Sequence, residues 1–240
     1  MPGPLQMSYC RGMSQSPDAF TIKICGLSTR ETMAAALAAG ADMVGLVFHP
    51  KSPRFVDMAR AVALAEMARG RAEIVALIVD YDVARARELA DTLRPDWLQL
   101  HGSETPEQVL ALKAATGLRM MKALGVASPS DLAAMSSYVA VTDRILLDAK
   151  PPKDAAYPGG HGRPFDWTIL SGLDPASRFM LSGGLDPANV ADAIRIARPA
   201  GVDVSSGVEG APGVKDIGRI RDFIAAARQA AQDLKKAGPT

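Results

Sequence analysis

Cysteine is scarce in this chain, and long apolar runs are missing. The 240 residues hold two cysteines, Cys10 and Cys25. Two do not make a disulfide framework, and neither has a His or Cys neighbour at metal-ligand spacing, so no zinc site is expected. Reduced, cytoplasmic chemistry is the natural expectation. No run reaches the ~20 apolar residues that cross a bilayer, so no membrane partner is expected. An excess of one charge sign is also lacking: 27 Lys+Arg against 26 Asp+Glu leave a net charge of +1. With no basic stripe, nothing argues for nucleic acid. Residues 1–19 are rich in Pro, Gly, Ser and Gln and lack the apolar centre of a signal peptide. They read as a flexible N-terminal extension, with Met7 and Met13 as alternative starts, and Cys10 falls inside it.

What is present fits a globular protein with a sizeable core: 48% hydrophobic and 22% charged residues. From Thr21 onward, short apolar strands alternate with Ala-rich amphipathic stretches. Strands are expected at 21–25, 43–48, 73–79, 96–100, 118–123, 144–148, 178–181 and 201–205. Helices are expected at 29–39, 57–69, 82–93, 105–115, 129–136, 166–171, 187–197 and 215–234. Ser28-Thr-Arg-Glu31 reads as a capping box for the first helix, with Gly40 closing it.

Eight such units, at about 27 residues each, have the spacing of parallel strands joined by crossover helices. No Pro/Gly/Ser-rich linker divides the series. The expected fold is one (β/α)8 barrel over residues 20–235. A doubly wound open sheet is the alternative, but it would carry a Gly-rich turn after its first strand, which Gly26-Leu-Ser is not.

Strand parity points to a site. Ile22 and Ile24 share one face and Lys23 and Cys25 the other; Leu98 and Leu100 oppose Gln99 and His101; Ile145 and Leu147 oppose Leu146 and Asp148; Val202 and Val204 oppose Asp203 and Ser205. Aliphatic faces suit outer helices. Lys23, Cys25, His101, Asp148 and Asp203 would then converge at the barrel mouth, where barrel enzymes keep their sites.

A thiol and a carboxyl at strand tips form a plausible proton-transfer pair. Cys25 could equally pack as a small hydrophobe, but Lys23 on the same face could stabilise a thiolate and lower its pKa. Asp148 could be a cap, yet about 14 residues without evident structure follow it, a length typical of functional lids. Ser182-Gly-Gly-Leu-Asp-Pro-Ala-Asn189 and Ser205-Ser-Gly-Val-Glu209 leave strands 7 and 8. Glycines let backbone N–H groups approach an anion, and these two loops form a common phosphate site in barrels. Gly183 and Gly184 alone could be a tight turn; two such segments in the two right loops favour phosphate. Arg54 could clamp a substrate carboxylate or pair with Asp57 at the surface. His101 could serve the site or be a satisfied interior histidine, and Trp97 and Trp167 read as packing residues.

These segments, in order, resemble the N-(5′-phosphoribosyl)anthranilate isomerase family of tryptophan biosynthesis. The carriers are Lys-Ile-Cys-Gly (23–26), Gly-Leu-Val-Phe-His-Pro-Lys-Ser-Pro-Arg (45–54), Leu-Gln-Leu-His-Gly (98–102), Leu-Leu-Asp (146–148), Gly-Gly-His-Gly (159–162), Gly-Gly-Leu-Asp-Pro-Ala-Asn-Val (183–190), Asp-Val-Ser-Ser-Gly-Val-Glu (203–209) and Gly-Val-Lys-Asp (213–216). The resemblance implies a cofactor-free Amadori rearrangement of a phosphorylated small molecule, with no metal. It implies Asp148 as general acid, Cys25 as general base, Arg54 on the anthranilate carboxylate and Asp203 on the ribose hydroxyls. Gly183, Gly184, Ser205, Ser206 and Gly207 would hold the phosphate, and Lys23 and His101 match motif positions. His161 stands where the family often has a smaller or hydroxyl residue. A related isomerase of the histidine pathway would be expected to place aspartate where Cys25 stands, and a non-catalytic phosphate-binding barrel would need neither Cys25 nor Asp148. Polar outer helices allow a monomer or a homodimer.

Overall fold

A computed structural model describes residues 19–150, 165–173 and 178–237. Eight parallel strands close into a barrel in sequence order, the last pairing with the first. They are β1 (Thr21–Cys25), β2 (Met43–Val47), β3 (Glu73–Ile78), β4 (Trp97–Leu100), β5 (Arg119–Val126), β6 (Arg144–Ala149), β7 (Met180–Leu181) and β8 (Gly201–Val204). The intervening helices are α1 (Arg30–Ala39), α2 (Met58–Ala68), α3 (Val83–Leu93), α4 (Pro106–Thr116), α5 (Met135–Val139), α6 (Val190–Ala197) and α7 (Ile217–Ala237).

Local chemistry starts and stops these helices. Asp57, Asp82 and Thr105 each accept a backbone N–H at an N-terminus, and Gln108 completes a capping box with Thr105. For α1 the cap is Thr29, one residue beyond the expected Ser28, because Thr29 Oγ1 receives the Thr32 N–H. Gly40 ends α1 in the left-handed conformation that glycine adopts without steric cost.

Parity along the strands separates two packing layers. Ile22, Ile24, Leu98, Leu100, Ile145, Leu147, Val202 and Val204 belong to the core shared with the helices. Met43, Val75, Trp97, Met121, Leu146 and Met180 fill the barrel itself. Above them, toward the strand C-termini, Cys25 packs with Val47 and Leu77. The interior is therefore a packed core, and a cleft opens at the mouth.

Several elements differ from the sequence expectation. The sixth helix, expected at 166–171, is a single 3₁₀ turn, Trp167–Leu170. The fifth, expected at 129–136, is a 3₁₀ turn over Pro129–Ala134 followed by the short α5. β5 runs three residues past the expected end, through Gly125, since pairing with β6 carries it to Val126. β7 keeps only two of four expected residues, because Arg178 takes φ 44° and leaves the extended region. An antiparallel hairpin, β9 (Glu209–Ala211) and β10 (Val214–Lys215), was not expected. The proposed extension, the expected lid after Asp148 and His161 lie outside the described residues.

Candidate active site

Cys25 ends β1, Asp203 stands third in β8, Asp148 is the penultimate residue of β6, and His101 follows β4 directly. The strands thus deliver a thiol, two carboxyls and an imidazole to one end of the barrel. They line a cleft that opens to solvent. Of the residues proposed for catalysis, substrate or phosphate binding, all but Lys23 and Gly207 line it.

Lys23 is fully buried, its Nζ 2.9 Å from Asp203 Oδ1. It acts from beneath the cleft on its neighbours. Burial pushes the Cys25 thiol up, and Lys23 is the largest influence pulling it down. The expected lowering of the thiol pKa is therefore corrected: desolvation outweighs the ammonium. Burial likewise pushes the Asp203 carboxyl up against the pull of Lys23. Gly45 gives the thiol its room, since a Cβ there would sit 2.8 Å from Cys25 Sγ.

Across the cleft, His101 Nε2 is 3.3 Å from Asp148 Oδ2, and Asp148 Oδ1 accepts the Ala149 N–H at 2.9 Å. The loop that carries His101 is braced from below. Glu104 accepts the backbone N–H groups of Asp80 and Gly102 and pairs with Lys122 at 2.8 Å. Lys122 in turn donates to the Gly102 carbonyl. Both side chains are buried, so the pair is saturated within the protein.

Arg54 does not meet Asp57, which caps α2 instead. Its Nε and Nη2 donate to the two carboxylate oxygens of Glu209 at 2.7 and 2.9 Å. Glu209 also receives Lys215 Nζ at 2.7 Å, and Lys215 donates to the Ser205 carbonyl and hydroxyl. Burial pushes Lys215 down to about 8 despite Glu209. One carboxylate therefore ties the arginine on one wall to the glycine-serine loop on another. Glu209 and Lys215 received no role in the sequence reading; their only signal was a place inside the matched segments.

The two glycine loops meet closely. Gly183 has φ 88°, and a Cβ there would lie 2.2 Å from the Ala149 nitrogen, so no other residue fits. At Gly207 a Cβ would press into the Leu185 carbonyl, which makes this glycine the contact between the β7 and β8 loops. Ser205 Oγ donates to the Cys25 carbonyl, linking this wall to the thiol strand. The arrangement offers a glycine- and serine-lined wall, a guanidinium, a thiol beside a buried ammonium and a carboxyl beside an imidazole. Among the described residues no cluster of His, Cys, Asp and Glu could hold a metal, and no helix is long and apolar enough to cross a membrane.

Comparison with known proteins agrees with this inventory. The model of the N-(5′-phosphoribosyl)anthranilate isomerase family matches residues 22–226. The N-(5′-phosphoribosyl)anthranilate isomerase of Afipia carboxidovorans is 60% identical over 209 residues, covering 87% of this chain and 89% of its own. The crystal structure of phosphoribosyl anthranilate isomerase from Thermotoga maritima superposes with a TM-score of 0.80 at 35% identity, over 88% of this chain and 99% of that one. A further structure of such an isomerase, in complex with reduced 1-(o-carboxyphenylamino)-1-deoxyribulose 5-phosphate, has a TM-score of 0.77 at 32% identity over 88% of this chain and 99% of that one. The chain belongs to the N-(5′-phosphoribosyl)anthranilate isomerase family.

Proposed function

We infer that this chain converts N-(5-phosphoribosyl)anthranilate to 1-(2-carboxyphenylamino)-1-deoxyribulose 5-phosphate in tryptophan biosynthesis, with Cys25 and Asp148 as its base and acid. The observation that carries the assignment of roles is that these two groups line one cleft whose remaining walls supply Arg54 and the glycine-serine loops.

Asp148 gives a proton to the ribose ring oxygen as the C1′–O bond breaks, leaving a Schiff base at C1′. Cys25, as thiolate, takes the C2′ proton, and the electron pair forms the enolamine. Ketonisation then places a proton on C1′ and releases one from the enol oxygen, so the two groups end as they began. These are proton transfers throughout, the work of general acid–base residues. Arg54, oriented by Glu209, supplies the positive charge for the anthranilate carboxylate. Asp203 meets the ribose hydroxyls, and Gly183, Gly184, Ser205 and Ser206 take the phosphate, with Gly207 keeping the two loops together. A free thiol as base fits a cytoplasmic enzyme, acting as a monomer or homodimer.

The test follows the fluorescence of phosphoribosylanthranilate generated in situ. Enzyme-dependent loss with formation of the carboxyphenylamino-deoxyribulose phosphate is expected. A folded, reduced sample without turnover would move the assignment to the histidine-pathway aminoaldose or to a binding barrel.

A further inference from the structure

Gln99 lies on the inward face of β4, fully buried, with its Nε2 3.1 Å from His101 Nδ1. Its Oε1 is buried and has no hydrogen-bond partner among the described residues. A buried amide is costly unless both ends are paired, and the cluster that fills the barrel around Met121 and Trp97 is apolar. Among the described residues the amide has one hydrogen-bond partner, the ring nitrogen of His101 remote from Asp148. His101 is thereby a bridge between this amide and the carboxyl 3.3 Å from its Nε2.

The direction of the amide decides what that bridge carries. A half-turn exchanges Oε1 and Nε2 at nearly the same positions, so the pocket admits either arrangement. With Nε2 donating to Nδ1, the one proton of neutral imidazole sits on Nε2 and points at the Asp148 carboxylate. The pair then has no proton to give. With Oε1 toward Nδ1, the ring proton sits on Nδ1 and Nε2 offers its lone pair to Asp148. The pair then holds one more proton, as a carboxyl O–H donating to Nε2 or as imidazolium facing carboxylate.

We propose that Gln99 is a positioning residue whose amide direction sets whether the His101–Asp148 pair carries the proton delivered to the ribose ring oxygen. The proton leaves through Asp148 as the C1′–O electron pair passes to the ring oxygen. The pair regains it from the enol oxygen on ketonisation, and no other reactant is needed. Asp203 from β8 faces both members of the pair, and His49 from the β2–α2 loop faces His101. The Glu104–Lys122 pair lies beneath the same loop. These groups are common to all variants below, so differences among variants report on Gln99.

The inference rests on Asp148 as the acid, which Asp148→Asn tests alone. The experiment for Gln99 is ¹⁵N NMR of the wild-type enzyme labelled at histidine, with kcat–pH profiles of wild type, Gln99→Glu and Gln99→Met. His101 is expected to carry its proton on Nδ1 at the pH of full turnover. Gln99→Met should lose at least ~10-fold in kcat with KM nearly unchanged, within the range for impaired acid catalysis. Gln99→Glu, an acceptor only, should retain kcat within a few-fold and move the alkaline limb of kcat to higher pH. A wild-type imidazole protonated on Nε2 alone at full turnover would overturn the proposal, as would identical kcat–pH limbs in the three proteins. The wild-type spectrum decides even where a variant fails to fold.

Discussion

The two ends of the barrel both carry charged and aromatic side chains, yet they are built to opposite purposes. At the N-terminal end, Arg119 donates to Glu73 at 2.7 Å, Trp97 Nε1 donates to the other Glu73 oxygen, and Arg119 and Arg144 lie over the Trp97 ring at 4.3 and 5.3 Å. Arg119 and Glu73 are 44% and 38% exposed, so water shares in their solvation. At the mouth, Lys23, Cys25, Asp148 and Asp203 are each 5% exposed or less. Cys25, Asp148 and Asp203 line open space with Lys23 beneath them, and the Gln99 amide oxygen beside them has no hydrogen-bond partner among the described residues. Charges that satisfy one another at a wet rim close a structure. Charges held dry around a void stand ready for a ligand.

The sharpest test of this contrast is at the thiol and the carboxyl. Cys25→Ala and Asp148→Asn should each lower kcat by ~10²-fold or more, the usual loss when a general base or acid is removed. For Asp148→Asn the KM should stay nearly as in wild type. Near-wild-type turnover in steady-state assays would withdraw the role from whichever residue was changed.

A smaller effect is expected at the arginine. Arg54→Ala removes a charged hydrogen-bonding fork worth about 1.5–3 kcal/mol, so KM should rise roughly 10- to 100-fold. Glu209 keeps Lys215 as its partner in this variant, which limits the damage to the fold. An unaltered KM would make Arg54 a purely structural strut.

The pH dependence probes the buried ammonium. Because burial raises the thiol above its ordinary value, the thiolate fraction grows as pH rises, and kcat/KM climbs along that limb. Lys23 pulls the thiol down, so Lys23→Met should carry the limb to still higher pH. A folded Lys23→Met enzyme with an unmoved limb would show that the ammonium serves Asp203 alone.

The smallest effect belongs to the opposite end. Arg119→Ala breaks an exposed ion pair and a ring contact, for a loss of about 1 kcal/mol or less in denaturant unfolding. Its kcat and KM should match wild type. A large loss of activity would mean that the two ends are coupled and the contrast is false.

Much of this was legible before any coordinates, and for a definite reason. Side chains alternate across a strand, so Lys23, Cys25, His101, Asp148 and Asp203 were assigned to one face from neighbouring residues alone. The eight-unit spacing is local in the same sense, and so is the stop of α1 at Gly40. Short elements were harder: two residues of β7 and one turn at Trp167–Leu170 bury too little to leave a periodic trace.

The sequence by itself determined the order of strands and helices, the inward face of each strand, and which chemical groups reach the mouth. These follow from backbone geometry acting over two to four residues. Only the tertiary structure decided what surrounds each group. Arg54 finds Glu209 across 155 residues of chain, the thiol is raised rather than lowered, and Gln99 stands behind His101. Pairing and desolvation depend on barrel closure, which brings distant strand ends together and excludes water from the space between them.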